Sequence, residues 1–85
     1  MDDVVNNEVV FDGKEKDKIM QRFSRASGQL DAVKRMIDEG KPLNQVLVQL
    51  QAVISAIQSI KVEIVQEQVR QNILEEIKKA FQIMK

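Results

Sequence analysis

The stretch LNQVLVQLQAVISAIQSIKVEI, residues 43–64, decides the fold. Its aliphatic residues recur in alternating steps of three and four positions, as Leu43, Val46, Leu50, Val53, Ile57, Ile60 and Ile64. That heptad spacing predicts a long helix with a continuous apolar seam. A parallel row widens the apolar face of this helix, and it consists of Leu47, Ile54 and Val65.

A similar heptad precedes this stretch, formed by Ile19, Phe23, Ala26, Leu30, Val33 and Ile37. Gly40 is predicted to end the first helix in its C′ position, and Pro42 suits the first turn of the next helix. Two long helices joined by so short a turn predict an antiparallel hairpin. We also predict a break near residues 70–72 and a third, short helix through Leu74, Ile77, Phe81 and Met84.

The wide apolar face of the second helix predicts self-association, because a lone hairpin covers only one side of each apolar stripe. The predicted fold is therefore all-α, with two long antiparallel helices and a short C-terminal helix in each protomer. Most simply, two such protomers form a four-helix-bundle dimer. Residues 14–85 form the predicted helical oligomerisation domain. Residues 1–13 form a predicted disordered acidic tail, with a short strand over residues 8–11 as the alternative.

The composition excludes most enzymatic chemistry. The chain has no Cys and no His, so it lacks a thiol nucleophile, the commonest general base and the usual transition-metal ligands. Glu63 and Glu67 stand four residues apart, but a solvated helix face explains them better than catalysis. We predict no catalytic residues, no metal and no cofactor. No apolar run approaches the roughly 20 residues of a membrane span, and the start of the chain is acidic, so the protein is predicted to be cytoplasmic with no membrane partner.

The charges are distributed unevenly, although the net charge is zero. Residues 1–12 carry a charge of −4, whereas residues 14–35 carry +4. Five side chains of the first helix lie within about 80° of one another around its axis. They form a basic stripe, defined as Lys14, Lys18, Arg22, Arg25 and Gln29. Cations at successive turns suit the phosphates of double-stranded DNA. The alternative is a solvated flank, whose Lys and Arg stems cover the edge of the apolar seam.

The segments RFSRASGQL, residues 22–30, and VKRMIDE, residues 33–39, resemble the first helix of the copper-sensing operon repressor family, the CsoR/RcnR/FrmR type. This family also includes nickel, formaldehyde and persulfide sensors. Its first helix typically reads R-L-x-R-x-x-G-Q-(V/L), followed by an (E/K)-R-M-(I/V)-(D/E)-E stretch. Residues 46–53, VLVQLQAV, are similar to the start of the family's second helix. The resemblance spans about residues 15–75.

The resemblance implies a three-helix protomer, a four-helix-bundle dimer and a flat tetramer that binds operator DNA. The family's DNA contacts come from basic residues of the first helix, which match Arg22 and Arg25, with Gln29 nearby. A basic residue of the second helix usually contributes. Ser59 occupies one expected place and Lys61 lies close by, so Lys61 joins the predicted DNA-binding set, although a lone Lys at a seam position also suits a snorkelling side chain.

The sensing residues of the family are missing from this chain. The family uses a Cys at the start of the second helix, then a His and a further Cys or His four residues apart near its end. Leu43, Gln68 and Asn72 fill these places, so we predict a degenerate effector site. Three interpretations of Gln68 and Asn72 are open. They form an amide hydrogen bond that fixes the register of a bundle, they line a remodelled pocket for a small polar ligand or hard cation, or they mark a pocket that no longer has a function.

Two functions follow from these observations. The first is a DNA-binding transcriptional repressor of this type that has lost its thiol or metal sensing site. The alternative is a helical interaction module that forms mixed oligomers with a sensing paralogue and modulates it. The apolar seam would carry the function of such a module, and the basic stripe would be incidental.

Overall fold

Two antiparallel helices make up nearly all of the chain in the computed structural model, which describes residues 8–84. Helix α1 spans Gly13–Asp38 and helix α2 spans Leu43–Met84. The 42 residues of α2 correspond to about 63 Å, and the chain measures 67 × 24 × 16 Å. Its radius of gyration is 19.3 Å, whereas a compact domain of this length has about 12 Å. The single chain is therefore an elongated helical hairpin.

The turn between the helices has the geometry predicted from Gly40. This residue has a φ of +74°, a left-handed conformation that costs glycine least. Its N–H donates to the Ile37 carbonyl at 3.1 Å, and the N–H of Lys41 donates to the Met36 carbonyl at 2.9 Å. This pair of bonds is a Schellman motif, which satisfies the last carbonyls of α1. The Pro42 carbonyl accepts the first backbone hydrogen bonds of α2, from the N–H groups of Gln45 and Val46, so the chain reverses within four residues.

The two helices contact each other through one position of the heptad on each helix, which recurs every seven residues. The buried residues are Ile19, Ala26 and Val33 of α1 and Val46, Val53 and Ile60 of α2. They form two clusters, one of Ile19, Ala26 and Ile60 and one of Val33, Val46 and Val53. Both the all-α fold and the heptad contact of the hairpin are thus confirmed. These six side chains make a small core. Full burial of a Val or Ile side chain contributes only about 1.5–3 kcal/mol.

Most of the remaining heptad positions are exposed to solvent in the single chain. Exposed fractions of 41–60% are found for Phe23, Leu30, Ile37, Ile57 and Ile64. Helix α2 is also long and apolar enough to cross a membrane by length and composition alone, and only 11% of its most apolar 18-residue window is buried. A helix that packs in the core of a soluble assembly passes the same test, so this finding is weak evidence for a membrane.

The predicted break near residues 70–72 and the third short helix are not present. Helix α2 continues without interruption from Leu43 to Met84. Neither Gly nor Pro follows Pro42, so no residue interrupts the backbone hydrogen bonds there. Side-chain bonds also tie the first residues of the expected break to the preceding turn, because Arg70 donates to Glu67 Oε1 at 2.9 Å and Gln71 donates to Glu67 Oε2 at 2.8 Å.

The segment before α1 packs against the open end of the hairpin, opposite the turn. Phe11 contacts the cluster of Ile19, Ala26 and Ile60, and Gln71 donates a hydrogen bond to the Val10 carbonyl. Residues 8–12 form no strand. Residues 1–7 of the predicted disordered tail lie outside the described residues, so the division of the chain at residue 13 stays a prediction.

An ionic network joins this segment to both helices. The Asp12 side chain caps α1 by accepting the Glu15 N–H at 2.8 Å, and its second oxygen lies 3.5 Å from Arg70 Nη2. Arg70 also donates to both carboxylate oxygens of Glu67, whose side chain is 11% exposed. The hydrogen bond from Arg70, with a second from Gln71, lowers the pKa of Glu67 below its ordinary value of 4.5.

Replacement of Gly40 tests the geometry of the turn. We expect Gly40→Ala to lower the free energy of unfolding by about 1–2 kcal/mol, because a Cβ is strained at positive φ. Gly28→Ala is the matched control, since Gly28 lies within α1 and an added Cβ meets no atom within 4 Å. We expect Gly28→Ala to raise the free energy of unfolding by up to about 1 kcal/mol. Urea unfolding at matched protein concentration measures both, and changes of the same sign would contradict this account.

Replacement of Glu67 tests the network through the pH dependence of stability. Because the pKa of Glu67 is lowered in the fold, its carboxylate contributes stability that is complete above about pH 4.5 and is lost as the pH falls through the lowered pKa. We expect Glu67→Gln to lose less stability than the wild type when the pH is taken from about 7 to about 3 in urea unfolding. Glu75→Gln, at an exposed carboxylate of α2, serves as the control. Equal acid sensitivity of the two variants would show that the network does not hold Glu67.

Candidate nucleic-acid interface

The five residues of the basic stripe lie along one side of α1, and all of them are exposed. From Lys14 to Gln29 the stripe extends for about 22 Å of helix. The stripe runs beside the contact between the helices, because Arg22, Arg25 and Gln29 line a groove whose other wall is Ser59 and its neighbours on α2. The structure therefore brings the first-helix residues of the predicted site together on one flank of the hairpin.

The groove presents hydrogen-bond donors around an apolar floor. It has a volume of about 280 Å³, with Ala26, Ala56 and Ile60 below its polar residues. The groove offers two guanidinium groups, a carboxamide and a hydroxyl group as hydrogen-bond donors to an anionic group. Arginine can also place two parallel hydrogen bonds on a single phosphate. The chemistry of the groove therefore suits a phosphate group of a nucleic-acid backbone.

The cations of the stripe differ in their partners. Lys18 Nζ lies 3.6 Å from Glu15 Oε1 within α1, and Arg22 Nη1 lies 3.0 Å from Glu63 Oε1 across the hairpin. Arg25 forms no ion pair within residues 8–84. Exposed ion pairs contribute only about 0–1 kcal/mol, so an incoming phosphate can displace the carboxylates.

Lys61 does not join the stripe. It is exposed, and it precedes Glu63 by two residues, which places it about 160° away around α2. Because Glu63 is directed to Arg22 and the stripe, Lys61 projects from the other side of the hairpin. Sequence alone could not show this, since the side of α2 that meets α1 is set by the packing of Val46, Val53 and Ile60.

The three residues of the degenerate effector site do not meet within one chain. Leu43 is 78% exposed at the start of α2, whereas Gln68 and Asn72 are partly buried in its second half. The 25 residues from Leu43 to Gln68 correspond to about 38 Å. Asn72 Oδ1 is buried and accepts no hydrogen bond among the described residues, and Gln71 rather than Gln68 makes the amide contacts at this end.

The donor set at these positions does not fit the metal ions of a thiol or imidazole site. An aliphatic side chain offers no lone pair, and carboxamide oxygens are poor ligands for a soft ion such as Cu(I). Within residues 8–84, no three acidic side chains stand close enough together to hold a metal ion.

Sequence reasoning missed two contributors to this region. Glu63 was considered only with Glu67, its neighbour one turn away on α2, whereas its partner is Arg22 on the other helix. The capping role of Asp12 was also missed, although the order Asp12-Gly-Lys-Glu15 carries the signal of an N-cap followed three residues later by Glu. The cross-helix partner of Glu63 has no comparable local signal.

Comparison with known proteins agrees with the resemblance found in the first helix. A family model described as metal-sensitive transcriptional repressor matches residues 15–85, which is most of the chain. No curated protein matches the chain, and no solved structure does so either. The matched region includes all of α2 and all but the first two residues of α1. The chain belongs to the family of metal-sensitive transcriptional repressors.

Proposed function

We propose that this protein is a DNA-binding transcriptional repressor whose sensing site has lost its thiol and imidazole ligands. The observation that carries the proposal is the exposed stripe on α1, where Arg22, Arg25 and Gln29 line a donor-rich groove. Membership of a repressor family supplies the biological context for that surface. Loss of sensing is supported by Leu43, Gln68 and Asn72 at the places where the family has Cys and His.

Binding to DNA by this surface is electrostatic in the first place. Each Lys or Arg that neutralises a phosphate releases condensed counterions from the duplex, which favours association and makes the affinity depend on salt. Lys14, Lys18, Arg22 and Arg25 supply the charges, and Gln29 adds a neutral donor that can bond a phosphate or the edge of a base. Lys61 lies outside this surface in the single chain, so its contribution requires a second copy of the protein.

The assembly that we propose is a four-helix-bundle dimer, which pairs further to a tetramer. Support comes from the apolar flank of α2, defined as Leu43, Leu47, Ile54, Ile57 and Val65, with exposed fractions of 42–78%. Leu43, Gln68 and Asn72 lie on the same flank but at opposite ends of α2. Antiparallel packing of two α2 helices therefore brings Leu43 of one copy towards Gln68 and Asn72 of the other, which explains how the former sensing positions can share one place.

The same packing accounts for the remaining properties that we propose. A second copy covers the apolar window of α2, so the protein acts in the cytoplasm without a membrane partner. The chain has no Cys thiol and no His imidazole to serve as a nucleophile or general base, and the protein is not an enzyme. A helical module that modulates a sensing paralogue is the second candidate, and the apolar flank favours it, because a Cys- and His-containing relative could pack there in place of the second copy.

The DNA-binding surface is tested by removal of its arginines. We expect Arg22→Ala and Arg25→Ala each to weaken binding to duplex DNA from the region upstream of the gene by about tenfold, the loss of one charged hydrogen-bonded contact. In the double variant, the slope of log K against log salt concentration should fall by about 1.8 for each protomer bound. Electrophoretic shift or fluorescence anisotropy across a range of salt concentrations measures both quantities.

Lys78→Ala is the matched control, because it removes one exposed charge from the distant half of α2. It should leave the affinity within about twofold of the wild type. If the arginine variants bind as tightly as this control, the basic stripe is not the DNA-binding surface. If only a mixture with a Cys-containing relative binds DNA, the interaction module is the better description.

The apolar flank is tested by a charge placed within it. We expect the wild type to have a mass of two or four times 9.7 kDa in light scattering and Ile54→Glu to lower it, because the variant buries an unpaired charge at the interface. Val48→Glu is the control, since Val48 is 66% exposed and lies about 120° away around α2. The control should keep at least the dimer. A monomeric wild type would contradict the proposed assembly.

A further inference from the structure

Glu63 stands at the edge of the phosphate-binding groove, although it carries the charge that repels DNA. It lies one helical turn after Ser59 on the same side of α2, and Ser59 lines the groove with Arg22 and Arg25. Its Oε1 atom is 3.0 Å from Arg22 Nη1. The side chain of a residue that we assign to DNA binding is thus held by a carboxylate in the free protein.

The contact between these two side chains is a charge pair rather than a well-aligned hydrogen bond. Glu63 Oε1 is buried, yet it accepts no hydrogen bond of good geometry among the described residues. The side chains of Arg22 and Glu63 as a whole are 47% and 37% exposed, so solvent around them screens the pair although Oε1 itself is covered. Such a pair is weak, and a phosphate that offers Arg22 two parallel hydrogen bonds is a better partner than this carboxylate.

We propose that Glu63 is a built-in competitor for the DNA phosphate and sets the affinity of the groove. The free protein holds Arg22 on the Glu63 carboxylate, and binding of DNA exchanges this carboxylate for a phosphate oxygen. This inference rests on the proposed DNA binding by α1 and adds a residue of α2 to it. Because the Glu63 carboxylate must be displaced, the affinity for any duplex is lower than it would be without Glu63. Binding is therefore disfavoured on DNA that does not contact the other residues of the stripe.

The competition has a specific signature in binding measurements. We expect Glu63→Gln to bind duplex DNA about three- to tenfold more tightly than the wild type, because Arg22 is released from its partner while the amide keeps the size of the side chain. In an Arg22→Ala background, the same substitution should change affinity by less than about twofold, since there is no guanidinium left to release. Glu63→Asp keeps the charge but shortens the reach, so it should also tighten binding.

Glu67→Gln is the matched control for the charge alone. It removes the same charge one turn further along α2, where the carboxylate is bonded to Arg70 and Gln71 rather than to the stripe. We expect it to change DNA affinity by less than Glu63→Gln does. Thermal unfolding of all variants identifies any that are destabilised, and Glu63→Asp then provides a second measurement that does not depend on Glu63→Gln.

Two results would overturn the competitor role while leaving DNA binding intact. One is an equal gain from Glu63→Gln with and without Arg22, which would mean that the carboxylate acts only through its general charge. The other is a gain in DNA affinity from Glu67→Gln as large as the gain from Glu63→Gln. Loss of the proposed function itself is recognised separately, because in that case Arg22→Ala and Arg25→Ala leave DNA affinity unchanged in the presence of Glu63.

Discussion

The apolar surface of α2 is the constraint on which the rest of the structure depends. This helix has 42 residues, whereas α1 has 26 and can cover only one side of part of it. Only Val46, Val53 and Ile60 of α2 are buried in the single chain. The hairpin therefore has two unlike flanks: one is apolar and exposed in the single chain, and the other is polar and carries the stripe. In the function that we propose, that separation lets one small chain both assemble and bind a charged ligand.

Much of the fold could be predicted because its signals are local and periodic. The heptad of α1 predicts the side that meets α2, although only Ile19, Ala26 and Val33 of that heptad are buried, and Gly40 predicts where the chain turns. The continuity of α2 could have been predicted from the absence of Gly and Pro after Pro42, so the predicted break near residues 70–72 is wrong. The bonds of Glu67 with Arg70 and Gln71 tie the start of that stretch to the preceding turn and support an uninterrupted helix.

The candidate site divides in the same way. Lys14, Lys18, Arg22, Arg25 and Gln29 share a side of one helix, so the helical repeat alone places them together. Which residues of α2 face them depends on the rotation of α2, and this is fixed only when the buried side chains pack. Lys61 was expected there and lies on the other side, whereas Glu63 was not expected and pairs with Arg22. Local periodicity is readable in a sequence, but contacts across a hairpin need the packed core.

The uninterrupted course of α2 connects the positions of the predicted effector site with the candidate nucleic-acid interface. Gln68 and Asn72 lie on the apolar flank, and Glu63 lies one to three turns earlier on the polar flank of the same rod. A helix without a break moves as a unit, so a partner that shifts α2 along or around its axis also moves Glu63 relative to Arg22. In the competitor role that we propose, that movement changes how firmly Arg22 is held. In the function that we propose, replacement of the Cys and His ligands removes one means of shifting α2, and a partner bound to the apolar flank still acts on Arg22 through the same helix.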